Sequence, residues 1–164
     1  MYIQRYARWF AFTSVLVFLV ACAVPRYDEA ADKATTELQQ KMEKKFYEWS
    51  SLLKYQKRAS LKADEATKVQ EKLAYSANME FYADTRAALD VLQTRLASAE
   101  TEKVSLTSID EWFKLLNLIV TNTEAEHESG KLDPIALQFR VRELNPTFMS
   151  ILTYIQITKP ATKK

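Results

Sequence analysis

One glycine, one cysteine and one histidine among 164 residues each remove a class of structure or chemistry. Between Pro25 and Gly130 the chain has neither glycine nor proline, the two strongest interrupters of regular structure. Hairpin turns rely on Gly, Asn or Asp at positive φ, so this long stretch is poorly suited to a sheet. Phosphate-binding and dinucleotide-binding loops need clustered glycines to bring backbone amides to the ligand, and a single glycine cannot supply them. One cysteine allows no disulfide within the chain, so the fold must stand on its apolar core. The only long apolar run, residues 9–24, has about 16 residues, short of the ~20 that a spanning helix needs.

The residues present are Ala, Leu, Lys, Glu and Gln in abundance, which favour helix. The expectation is an all-α protein, an antiparallel four-helix bundle over residues 28–158. Helix one is expected over about 28–57, where Leu38, Met42, Phe46, Trp49 and Leu53 recur at helical spacing. Helix two is expected over about 62–98, with Ala66, Val69, Leu73, Ala77, Phe81, Leu89, Leu92 and Leu96 forming a stripe that weakens near Asp84 and Thr85. The break between them falls near Arg58-Ala59-Ser60. Ser108 and Glu111 have capping-box spacing and place the start of helix three. Gly130 ends it, and Asp133-Pro134 opens helix four as N-cap and first-turn proline. Pro146 should kink helix four or restart it with Asn145 as a new cap. The first two helices would be the longest, so their hairpin should project beyond the other pair. Trp49, Phe81, Trp112 and Phe113 are assigned to the core.

The N-terminus has a different character. Residues 1–9 carry Arg5 and Arg8 and no acid, and residues 10–20 are apolar over the length of a signal-peptide core. They end in Leu19-Val20-Ala21-Cys22, which resembles the lipobox of bacterial lipoproteins. The resemblance implies that residues 1–21 are a signal peptide and that Cys22 carries a diacylglycerol, with its freed amine acylated as well. Residues 22–27 would then be a short tether to the membrane. Ala23 after the cysteine resembles the pattern of lipoproteins sorted to the outer membrane. Removing residues 1–21 leaves equal numbers of basic and acidic side chains, so the mature domain is formally neutral. It has no electrostatic footprint for nucleic acid, and none is expected as a partner.

Catalytic chemistry finds little to work with. Nucleophilic triads on the usual plans need a histidine beside a serine or cysteine, and His127 is the only histidine. Glu124 and His127 have the i, i+3 spacing of di-iron bundles, but those sites use two such motifs. His127 is instead expected to be a solvated residue in a glutamate-rich last turn. No cofactor, metal site or enzyme activity is expected. Tyr47, Tyr55 and Tyr82 lie off the apolar stripes and are the candidates for a partner-contact surface. The mature domain resembles small helical envelope lipoproteins with a Gly130-Lys131-Leu132 turn before the last helix, a likeness that implies no activity. Three non-enzymatic roles stay open. They are protein contact beside the membrane, a carrier role resembling pilotins that bind a secretin segment, and a tether to the cell wall. The last rests on the basic tail 159–164, since the wall-linked helical lipoprotein it resembles also ends in lysine, here Lys164.

The lipobox reading gives a direct expectation. Cys22→Ser should abolish incorporation of a palmitate analogue during metabolic labelling and leave residues 1–21 attached. Label retained by the serine variant would contradict it.

Overall fold

A computed structural model describes residues 27–58, 62–100 and 103–157. These residues form an all-α bundle of five helices, with no strand among the described residues. The helices are α1 (Glu29–Gln56), α2 (Ala63–Leu73), α3 (Met79–Ala99), α4 (Lys103–Glu128) and α5 (Pro134–Ile157), and a 3-10 turn, Tyr75–Ala77, lies between α2 and α3.

The helix ends follow local chemistry. Asp28 caps α1 by accepting from the Ala31 amide at 3.0 Å, while Glu29 and Asp32 complement the dipole in the first turn. Asp133 caps α5 by accepting from the amides of Ile135 and Ala136 at 2.8 and 3.0 Å. Gly130, at φ 68°, ends α4 in a Schellman motif: the Lys131 amide donates to Glu126 and the Gly130 amide to His127.

α1 packs most extensively on α5 and also on α3, and α4 packs on both α3 and α5. Cross-helix partners fix the directions. Lys41 meets Asp84 and Asp28 meets Arg95, so α1 and α3 run oppositely. Gln39 bonds Asn145 and Ser50 bonds the Pro134 carbonyl, which orients α5 against α1. Arg86 with Glu124 and Gln93 with Asp110 do the same for α3 and α4. The shared core includes Met42, Phe46 and Trp49 from α1, Tyr82 and Leu89 from α3, Phe113 and Leu116 from α4, and Leu144, Phe148 and Ile151 from α5.

Four expectations need correction. The second helical segment is not continuous: it breaks at residues 74–78, where buried Asn78 donates through Nδ2 to the carbonyls of Lys72 and Ala74 at 2.9 and 2.8 Å. An asparagine side chain supplies the stop that no glycine or proline marks. The break shifts the helical phase, so α3 turns Tyr82, Thr85, Leu89, Leu92 and Leu96 inward. α1, with 28 residues, is the longest helix, whereas α3 has 21 against 26 for α4 and 24 for α5, so only the first arm of the expected long hairpin is continuous. Second, α4 begins at Lys103, and Ser108 lies inside it. Half-buried Leu106 extends the apolar face one turn before Ile109. Third, of the two outcomes expected at Pro146 the restart does not occur, since α5 runs through it from Pro134 to Ile157. The proline ring is on the exposed side, and the Asn145 side chain accepts from Gln39 at 3.1 Å instead of capping. Fourth, Phe81 and Trp112 are half-buried, packed against the core and not inside it. The break near residue 59 falls between α1 and α2, and residues 59–61 lie outside the described residues.

Trp49 and Trp112 therefore separate energetically. In a chain beginning at Tyr27, Trp49→Ala should cost about 3–5 kcal/mol, the range of buried aromatic truncations. Trp112→Ala should cost well under half of that. Urea unfolding would check the order, and equal losses would contradict the packing.

Candidate functional site

Two features stand out: a buried polar and aromatic cluster where α1 and α4 finish, and an open groove between α4 and α5. The cluster centres on His127, which is 4% exposed, and not solvated as expected from its glutamate neighbours. Its position is one turn after Thr123 and two after Val120 on the inward face of α4, and that periodicity outweighs the charge of Glu124, Glu126 and Glu128. The Leu73 carbonyl can only accept, so Nε2 carries the proton across the 2.7 Å contact. Nδ1 then accepts from the Tyr82 hydroxyl at 2.9 Å. The imidazole is neutral, and both nitrogens are committed. Trp49, Tyr75 and Tyr82 surround it, with ring centroids 4.8–5.8 Å away.

Glu124, expected to share a face with His127, turns to different partners. It pairs with Arg86 and accepts from the Tyr75 hydroxyl at 3.0 Å. The Arg86 guanidinium holds its carboxyl below the ordinary range. Glu124 and His127 are thus two parts of a closing network and do not converge on a common ligand position. Among the described residues, no three His, Cys, Asp or Glu side chains gather as metal ligands would.

The tyrosine assignments divide. Tyr82 is fully buried, so it cannot belong to a contact surface; the phase shift after the helix break turned it inward. Burial pushes its phenol above the ordinary value. Tyr47 is 51% exposed. Tyr55 is half-buried, with its hydroxyl 3.3 Å from a Glu65 carboxylate oxygen and the Arg58 guanidinium over its ring. Tyr47 and Tyr55 both lie on the second half of α1, and Tyr55 faces α2. Cys22 lies outside the described residues, as do residues 1–21 and 159–164.

The groove was not anticipated. It holds about 560 Å³ and is lined by Trp112, Leu115, Leu118 and Ile119 from α4 and by Pro146, Thr147 and Ser150 from α5. Arg140 and Glu143 form its polar part, where Arg140 pairs with Glu126 and donates to the Thr123 hydroxyl at 3.0 Å. The sequence carried a trace of it: residues 115–123 and 144–157 contain no charge, yet helices packed on one side only should alternate apolar with charged.

No protein-family model, curated protein or solved structure matches this chain.

The neutral histidine makes stability depend on pH with a definite sign. Burial, opposed in part by the Leu73 hydrogen bond, holds its pKa below the ordinary 6.5. Below about pH 6.5 the unfolded chain therefore takes up a proton that the folded chain does not, and stability falls with pH until the lowered pKa is reached. Glu124, Asp28 and Asp133, held down by Arg86, Arg95 and backbone amides respectively, contribute losses only at lower pH, through their own depressed values. The urea midpoint should drop between about pH 7 and about pH 5, and His127→Gln should be weaker throughout but flat across that window. A slope unchanged in the variant would contradict the assignment.

Proposed function

We propose that this chain is a bacterial envelope lipoprotein, anchored by acyl chains on Cys22, whose helical bundle acts without catalysis by contacting another envelope protein beside the membrane. The observation that carries the reading is Leu19-Val20-Ala21-Cys22 standing just ahead of Tyr27, which leads directly into α1. The five residues 23–27 between Cys22 and the Asp28 cap reach at most ~18 Å, so the bundle is held against the bilayer. Two or more acyl chains make release rare, each buried methylene contributing ~0.8 kcal/mol. With Ala23 next to the cysteine, the outer membrane is the proposed destination.

The partner-contact surface in this reading is the flank of α1 carrying Tyr47 and Tyr55. Amphipathic rings at low entropic cost are common anchors of protein interfaces. Against catalysis stands the commitment of His127 and Glu124 to structural partners. A carrier role like that of pilotins is favoured by one feature, the apolar groove between α4 and α5, which has the character of a receiver for a helical segment.

Complementation of a deletion phenotype tests the proposal. A Tyr47→Ala/Tyr55→Ala variant and a form with a long flexible insert after Ala23 should fail while remaining folded and abundant. Glu124→Gln, provided that it folds, should complement. Full rescue by the tyrosine variant together with failure of folded, abundant Glu124→Gln would overturn the contact reading and favour an active site at the end of α4.

A further inference from the structure

One side of the bundle is dressed differently from the rest. The side formed by α1 and α3 is laced with ion pairs, Lys41 with Asp84, Arg95 with Asp28 and Lys33 with Glu37. The side formed by α4 and α5 lacks charge over residues 115–123 and 144–157, although much of it faces outward. Leu118 is 53% exposed and Ile157 78%, and Leu115 stands beside Leu118 on α4, where both line the groove. Isolated apolar side chains at a surface are ordinary, but a contiguous uncharged face marks an interaction site.

The place of this face in the bundle bears on what could cover it. Trp112 packs on Tyr154, whose hydroxyl bonds Glu100 just past the end of α3. The Asp28–Arg95 pair brings the start of α1 to that same end of α3. The start of α1 therefore shares an end of the molecule with the uncharged half of α5, and Cys22 is five residues before Tyr27. A lipid on that cysteine would hold this end within ~18 Å of the bilayer. A half-buried tryptophan and tyrosine beside exposed aliphatic side chains have the composition of the membrane–water interface, where amphipathic rings sit at headgroup level. No helix among the described residues is long and apolar enough to cross a membrane. Surface contact is the mode that fits, as for an interfacial helix lying with its apolar face in the headgroup region.

We propose that the uncharged α4–α5 face, with Leu115, Leu118 and Ile157, rests on the lipid headgroup region, so that acylation at Cys22 and this face together orient the bundle with its α1–α3 side towards solvent. The inference rests on the lipid anchor of the preceding section. It adds a second membrane contact, made by the folded domain. The apolar part of the groove then belongs to the lipid-facing side, with Arg140 and Glu143 at its charged end, and the flank with Tyr47 and Tyr55 remains available to protein.

The test uses the full chain matured in bacterial membranes, purified and reconstituted into phosphatidylethanolamine vesicles with a minority of phosphatidylglycerol. Leu118→Cys and Lys41→Cys are spin-labelled in turn; both positions are on the surface, and an acylated Cys22 takes no label. The ratio of relaxation by dissolved oxygen to relaxation by a water-soluble nickel chelate should be several-fold higher at position 118 than at position 41. Equal ratios would overturn the proposal. So would a label at 118 that is open to the chelate in vesicles but shielded from both reagents in native membranes, because a protein partner would then cover the face. The mass of the N-terminal peptide reads the anchor separately. A chain lacking acyl groups on Cys22 would overturn the lipoprotein reading, while the ratio at 118 on vesicle-bound protein still decides the face.

Discussion

Where α2 stops at Leu73, its last carbonyls lose their helical partners and must find others inside the protein. Asn78 takes the Lys72 carbonyl, and His127 takes that of Leu73 across 2.7 Å. The second bond couples a break between α2 and α3 to the last turn of α4. A buried carbonyl without a partner costs about 1–3 kcal/mol, so neither the break nor the histidine is independent of the other. Tyr82 completes the arrangement from the other ring nitrogen, and Trp49 closes over it from α1. The Trp49 indole N–H finds no acceptor among the described residues, and the ring instead lies under the Lys45 ammonium at 5.4 Å.

From that break follows the inward face of α3. Once the chain leaves helical phase at residues 74–78, Tyr82, Thr85, Leu89, Leu92 and Leu96 become the buried set, and Phe81 moves to the margin. Thr85 fits because its hydroxyl returns to the Phe81 carbonyl at 2.6 Å. The outward face of α3 then presents Asp84, Arg86 and Arg95 to α1 and α4 as ion-pair partners. Such exposed pairs add little stability, about 0–1 kcal/mol each, but they favour one alignment of neighbouring helices over others.

The helical class was legible in the near absence of glycine, and the caps at Asp133 and Gly130 were legible in local chemistry. The weak middle of the second stripe, at Asp84 and Thr85, was the visible trace of the phase shift. Its cause was hidden, because an asparagine that satisfies helix-end carbonyls looks the same in sequence as one in solvent. His127 was misread for a related reason: three nearby glutamates indicate a polar surface, but helical phase decides which side of the turn is inside. Tyr82 was displaced from surface to core by the same shift. The uncharged side of α4 and α5 could have been noticed as two charge-free segments, yet only the folded chain brings them side by side. The reading of Cys22 depends on residues before the folded domain and owes nothing to helical packing.

A neutral histidine that donates from Nε2 and accepts at Nδ1 ties the helix break to α4. Because the chain has a single histidine, a long-range 1H–15N spectrum of the folded protein reports on that ring alone. At neutral pH it should show the Nε2–H tautomer with an unprotonated, hydrogen-bonded Nδ1, and acid titration should displace these signals only below the ordinary 6.5. A ring that averages between tautomers, or that titrates near 6.5, would place His127 in solvent and contradict the tie between the helix break and α4.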